Sequence, residues 1–165
     1  IRKKGTFPTG GPFIIMSNHG SFIDTFVIPP SISGQYTAIV AAKNWKIPLF
    51  ASLLKSLKAV PVQRGNKEAA IKSIKFAEQV IHSDGCNMVI LPEGTRTLDG
   101  KLQKFKKGGF HMAINTKVKI LPIIIKGLYD IKPKTRWTIN NSIEAIMIIE
   151  KPINTIDQTV DNLIE

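Results

Sequence analysis

Short apolar runs separated by polar turns set the rhythm of this chain. Residues 12–17 (PFIIMS), 36–42 (YTAIVAA), 59–63 (AVPVQ), 87–91 (NMVIL), 118–125 and 143–149 have the length and β-branched content of strands. Pro61 within the third run predicts an edge or a strand end. Between them the period lengthens to that of a helix. Residues 66–83 give the clearest case, with Ala70, Ile71, Ile74, Ala77, Val80 and Ile81 on one face and Lys67, Lys72, Lys75 and Gln79 elsewhere. Asp84-Gly85 supplies its C-terminal stop. Further helices are expected from about Phe22 until Pro29 and Pro30 stop or kink the chain, over 45–57 with Pro48 early enough to be tolerated, over 108–115 and over 155–165. Strand–turn–helix units repeated in this way predict an α/β fold.

Polar clusters at 18–24, 63–66 and 92–96 each follow a predicted strand directly. Open α/β sheets carry their chemistry beyond the carboxyl ends of the strands, so the three clusters are expected to share one site. In the first (Asn18-His19-Gly20-Ser21-Phe22-Ile23-Asp24), a continuous helix would hold His19 and Asp24 about 140° apart. A turn at Gly20-Ser21 removes that obstacle. Asp24 then accepts from one imidazole nitrogen and leaves the other free as a base. Ser21-x-x-Asp24 also fits a capping box, in which Asp24 satisfies backbone N–H groups. The two readings are compatible, because a carboxylate has several lone pairs. No nucleophile-elbow pattern surrounds Ser21, so the nucleophile that His19 activates belongs to a substrate.

Arg64 follows the third strand, where Gly65 permits close backbone approach; Arg64 also reads simply as a solvated arginine in a turn. Leu91-Pro92-Glu93-Gly94-Thr95-Arg96 ends a buried strand in an acid, a glycine, a hydroxyl and an arginine whose planar fork suits phosphate. Lys101, Lys104, Lys106 and Lys107 follow, either as a solvated loop or as an anion funnel beside the arginines.

The 165 residues suit one domain and are 43% apolar, enough to bury a core and against a disordered tail or coiled coil. The 23 Lys and Arg against 12 Asp and Glu leave a net charge of +11, which points to an anionic partner: nucleic acid, acidic membrane or a phosphorylated small molecule. The single cysteine, Cys86, excludes an intrachain disulfide framework. The longest charge-free stretches, 5–23 and 25–42, contain Pro, Gly and polar groups and do not read as spanning helices. No GxxxxGK[ST] or GxGxxG phosphate loop occurs, and His19, His82 and His111 lack metal-site spacing, so no metal is expected. His82 and His111 read as structural.

Taken together the clusters resemble the motif blocks of the glycerolipid acyltransferases, most closely the lysophosphatidic acid acyltransferases. NHGSFID is similar to the family's NHxxxxD. VPVQRG resembles its second block, with Val62-Gln63 where an aromatic and an acid are commoner. LPEGTR resembles the third, with Leu91 in place of an aromatic, and KILPIIIKG resembles the fourth, a strand with a central proline. FKKGGFHMA is similar to the stretch these enzymes carry after the third block, and the resemblance covers roughly residues 12–127.

The resemblance implies a mixed, mostly parallel sheet flanked by helices in a single domain over 1–165. It implies acyl transfer from acyl-CoA or acyl carrier protein to 1-acylglycerol 3-phosphate, with no bound cofactor. His19 would be the general base and Asp24 its orienting partner. Arg64, Glu93, Gly94, Thr95 and Arg96, with Lys106 and Lys107, would bind the acceptor. Pro122 would shape the site, and Asn18 or Gly20 would supply the oxyanion donor. A membrane-associated segment is expected ahead of Ile1, and with it a place at the cytoplasmic face of a membrane carrying anionic lipid.

Residues 45–58 (WKIPLFASLLKSLK) suit either an interfacial helix or a core helix with lysines at its rim. Two other readings stand beside acyl transfer to lysophosphatidate: transfer or transacylation on another lysolipid or glycerol 3-phosphate, and a non-catalytic basic module binding acidic lipid or nucleic acid. Few aromatics sit among the basic residues and no nucleic-acid-binding motif occurs, so nucleic acid is not expected as a partner.

Overall fold

The computed structural model describes residues 1–63 and 65–165. Its strands are β1 (Arg2–Lys4), β2 (Ile14–Ser17), β3 (Tyr36–Ala41), β4 (Val60–Val62), β5 (Asn87–Ile90), β6 (Ile120–Lys126) and β7 (Ile146–Ile149). Its helices are α1 (Asp24–Val27), α2 (Pro48–Ser56), α3 (Lys67–Asp84), α4 (Gly108–Thr116), α5 (Leu128–Ile131) and α6 (Val160–Ile164). The strands make one seven-stranded sheet in the order β1-β7-β6-β2-β5-β3-β4. All neighbours are parallel except β6 and β7, so the sheet is mixed and mostly parallel, as expected.

β2 explains why its sequence reads as continuously apolar. Parallel strands are covered on both faces, so alternate residues enter two different cores. Ile14 and Met16 pack with Val60, Ala77, Ile81, Met88 and Met112 on the face of α3 and α4. Phe13 and Ile15 pack with Ile28, Leu121, Ile123 and Leu128 on the face of α1 and α5. Ile14, Ile15, Met88 and Leu121 are fully buried, each stabilising the fold by roughly 1.5–3 kcal/mol.

Several elements are shorter than the pattern predicts, for local reasons. The helix foreseen over 45–57 begins only at Pro48, because the residue before a proline is driven out of the helical region; Ile47 is extended (φ −92°, ψ 110°), and Trp45 falls in a 3-10 turn. α1 is a single turn that gives way to a 3-10 turn at the two prolines. α6 starts at Val160, where the Thr159 hydroxyl caps it by accepting from the Asn162 N–H. Ile71, foreseen on the buried face of α3, is exposed; the buried stripe runs through Ala77, Val80 and Ile81. β1 and α5 are not foreseen. β1 is Arg-Lys-Lys, exposed throughout, and is held by backbone pairing with β7 and by the Arg2–Glu144 ion pair at 2.9 Å.

Pro61 lies on edge strand β4, as expected. Pro122 lies on β6, between two neighbours, and is tolerated for a specific reason. Its carbonyl accepts from the Glu150 N–H just past the end of β7, so the missing N–H faces the point where that ladder stops. No helix among the described residues is long and apolar enough to cross a membrane.

Candidate active site

Chain order and sheet order part around β2 in the middle of the sheet. From β2 the chain runs to β3 and β4 at one side, returns to β5 beside β2, then passes over to β6 on the other flank. The C-terminal ends of β2 and β5 therefore border the crevice where the chain reverses, which is where α/β sheets bind ligands. The residues that follow these two strands are Asn18-His19 and Pro92-Glu93.

Gly20 and Ser21 turn the chain after β2 and fold Asp24 back onto His19. The His19 Nδ1–H donates to Asp24 Oδ2 at 2.8 Å, and the Ser21 N–H donates to the same oxygen at 3.0 Å. Half of the capping box thus shares a carboxylate with the dyad; the Ser21 hydroxyl takes the Ile23 N–H and donates to the Lys132 carbonyl, so no side chain caps α1. Asp24 is 1% exposed, which fixes it, while the His19 side chain keeps 19% of its surface. Nδ1 carries the proton toward the carboxylate, and Nε2 has no hydrogen-bond partner among the described residues.

Glu93 holds this turn from behind. It is buried, and its Oε1 accepts from the His19 N–H at 2.6 Å while Oε2 accepts from the Gln103 N–H at 2.7 Å. The Thr97 N–H donates to the His19 carbonyl at 3.0 Å. His19 is therefore clamped through its backbone by the 93–103 loop. Sequence reasoning placed Glu93 on the acceptor and missed Thr97 and Gln103. Their contacts cross from one loop to another, so no local pattern announces them.

Asn18 is occupied elsewhere. Its amide donates to the Ile125 carbonyl at 2.9 Å and accepts from the Ile125 N–H at 2.8 Å, splicing the end of β2 onto β6. The Gly20 N–H has no acceptor among the described residues, and Gly20 is buried at the site.

Two adjoining cavities meet at Pro92. The larger, about 870 Å³, holds His19, Gly20 and Glu93 and is walled by Met16, Phe105, Phe110 and Ile120 with Pro122 beside them. The smaller, about 430 Å³, is lined by Gln63, Gly65, Asn66, Lys67, Gly94 and Lys106. The turn after β4 and the turn after β5 thus come together, as the sequence pattern expects. They meet one cavity over from His19.

Gly94 has φ +72°, and a Cβ there would meet the Lys106 chain at 3.0 Å, so glycine lets the lysine cross the loop. Thr95 and Arg96 line neither cavity, and the Thr95 carbonyl accepts from Gln103 Nε2 at 3.1 Å. Lys107 turns away to pair with Asp161 at 2.6 Å. Arg64 lies outside the described residues. Among those residues, no group of three His, Cys, Asp or Glu side chains could hold a metal ion.

Known proteins of similar sequence and fold are acyltransferases. A 1-acyl-sn-glycerol-3-phosphate acyltransferase of Limnanthes douglasii is 34% identical over 165 residues, covering 99% of this chain and 58% of the relative. The alpha form from Homo sapiens is 28% identical over 141 residues, covering 84% of this chain and 50% of that protein. The chain thus spans somewhat over half the length of the plant relative. The crystal structure of the 1-acyl-sn-glycerophosphate (LPA) acyltransferase PlsC from Thermotoga maritima superposes with a TM-score of 0.79 at 26% identity, over 99% of this chain and 68% of that one. Residues 1–126 match the family model described as Acyltransferase, and the chain belongs to that family.

Proposed function

We propose that the protein moves a fatty acyl group from an acyl thioester to the free hydroxyl of 1-acylglycerol 3-phosphate, forming phosphatidic acid. The observation that carries the reading is the His19–Asp24 pair, with Nε2 unpartnered, in a cavity whose walls are largely apolar. A fatty chain needs such walls, and the relatives named above are acyltransferases of this kind.

Nε2 takes the proton from the acceptor hydroxyl as its oxygen bonds to the thioester carbonyl carbon. Asp24 holds the tautomer and offsets the charge of the imidazolium. General-base help of this kind is worth about 10²–10⁴-fold. The carbonyl oxygen gathers negative charge in the tetrahedral intermediate, and the unpaired Gly20 N–H is the donor we assign to it, in place of the engaged Asn18 amide. The intermediate collapses by breaking the C–S bond. The thiolate leaves and takes the proton from the imidazolium; a free thiol has a pKa of about 8.5, so strong acid assistance is unnecessary.

The acceptor phosphate fits the smaller cavity, where Lys106 and Lys67 supply positive charge beside Gly94. The donor is acyl-CoA or acyl carrier protein. Amphiphilic substrates and the net charge of +11 support a place at the cytoplasmic face of an anionic membrane.

The test is an acyl-CoA and acyl carrier protein panel with lysophosphatidate, glycerol 3-phosphate and other lysolipids, products being identified by mass spectrometry. Wild type is expected to form phosphatidic acid, and His19→Ala to lose at least a hundredfold in turnover with unchanged circular dichroism. A folded His19→Ala retaining more than a tenth of the wild-type rate would exclude the base assignment.

A further inference from the structure

Tyr129 follows β6 in the short helix α5 and lines the His19 cavity. It stands against both loops that carry the site. Gly20 lies so close that a Cβ there would come within 3.4 Å of the Tyr129 backbone nitrogen and 3.8 Å of its Cβ. On the other loop, the Leu98 carbonyl accepts from the Tyr129 hydroxyl at 2.9 Å. Gly100 lies against the ring itself. A Cβ there would meet Cδ1 at 3.0 Å and Cε1 at 3.1 Å, and its φ of +81° is one that glycine adopts at no steric cost.

Residues 97–103 form a strap along this side of the cavity, fastened at three points. At one end the Thr97 N–H donates to the His19 carbonyl at 3.0 Å. At the other the Gln103 N–H donates to Glu93 Oε2 at 2.7 Å, and Glu93 Oε1 holds the His19 N–H. Tyr129 fastens the middle. Asp99 Oδ1 accepts from the Thr97 hydroxyl and the Lys101 N–H, which braces the bend between them. Leu98 and Leu102 are exposed, so little apolar burial secures the strap and the Tyr129 contacts weigh correspondingly more.

We propose that Tyr129 is a positioning residue: it fixes the 97–103 strap, and through Thr97 and Glu93 the strap fixes where His19 stands. Among the described residues the Tyr129 hydroxyl bonds only the Leu98 carbonyl, so it reaches the imidazole through backbone and not directly. The contribution to rate rests on the acyl-transfer reading; the mechanical coupling of Tyr129 to His19 does not. A misplacement of about 1 Å can cost a hundredfold in rate, so a slight loosening of the strap is enough to be measured.

The test uses the full-length protein. Tyr129→Phe removes the hydroxyl and keeps the ring, and Tyr129→Ala removes both. With acyl-CoA and lysophosphatidate, kcat is expected to fall about threefold in the first and about tenfold or more in the second, with KM for both substrates little changed. By hydrogen exchange, the His19, Thr97 and Gln103 amides should exchange about fivefold faster in Tyr129→Phe, the factor that a single hydrogen bond supplies, while the amides of α3 keep the wild-type rate. Gly100→Ala should lower kcat in the wild-type background and lower it less in Tyr129→Ala, where the ring that its Cβ would strike is gone.

Wild-type kcat in a folded Tyr129→Ala would overturn the proposal. So would a raised KM at constant kcat, which would put the ring on a substrate instead. Exchange quickened equally throughout the molecule would mean that Tyr129 serves only general stability, and would overturn it as well. If Tyr129→Ala does not fold, Tyr129→Phe decides: unchanged kcat or unchanged exchange at His19 defeats the proposal. No transfer by the wild type, with exchange at His19 still quickened in Tyr129→Phe, would overturn the acyl-transfer reading and leave the coupling standing.

Discussion

Asp24 Oδ2 accepts two hydrogen bonds, from the Ser21 N–H and from His19 Nδ1–H, and this dissolves a choice that the motif leaves open. A cap and a catalytic orienter need the same feature: a carboxylate fixed at the mouth of a helix turn. The buried Glu93 works in a complementary way, accepting from two backbone N–H groups and none of the side chains around it. It acts on chemistry by holding His19, so it is a positioning residue. Glu93→Gln turns one acceptor oxygen into a donor facing an N–H and leaves a buried donor unpaired, at a cost of about 1–3 kcal/mol. The expected kinetics are a kcat lowered more than tenfold with KM for the acceptor little changed, and partial recovery in Glu93→Asp. A raised KM at constant kcat would instead mean that Glu93 touches the acceptor.

The elements show how short sequence signals position a site. α3 starts where the Asn66 side chain accepts from the Ala69 N–H at 3.0 Å, and it stops at Gly85 with φ +59°. That start point is also the wall of the smaller cavity. Asn66→Ala is expected to cost about 1 kcal/mol in chemical denaturation, and Asn66→Asp to retain the wild-type value, since both Asn and Asp cap well. An unchanged midpoint in Asn66→Ala would show that tertiary packing alone sets the end of α3. α5 makes the opposite point: it is four residues long, too short for a period to appear in the sequence, and packing of Leu128 against β6 side chains stabilises it.

At the scale of the molecule, most charge is carried at the surface, with Asp24 and Glu93 buried at the site. Asp84, Asp99 and Asp161 are held below the ordinary carboxylate range, Asp84 first by its hydrogen bond from Lys58, Asp99 by the Lys101 N–H and Asp161 by Lys107. A depressed carboxyl stabilises the fold above its unfolded pKa and loses that contribution as pH falls through the folded value. Lys58 is raised by the same partner, so its contribution is present below the ordinary lysine pKa and is lost as pH rises through the raised one. The thermal midpoint is therefore expected to be level across neutral pH and to fall in acid. Asp84→Asn should flatten part of the acid fall and, with Lys58 unpaired, remove part of the alkaline one; a pH profile identical to wild type would refute the assignment.

What the linear chain determined by itself is local and periodic. The strand runs, the long helix α3, the cap and stop that bound it, and the three polar clusters at strand ends all follow from which side chains sit two or three to four places apart. Those spacings act within one element, so they are legible without a fold. The placing of the turns after β4 and β5 one cavity over from His19, the clamp of Glu93 on His19, the diversion of Asn18 to Ile125 and of Lys107 to Asp161, and the docking of Arg-Lys-Lys as a strand belong to the tertiary structure alone. Each couples residues through sheet order, and sheet order is settled by how two apolar faces are buried at once, a property of the assembled chain rather than of any segment.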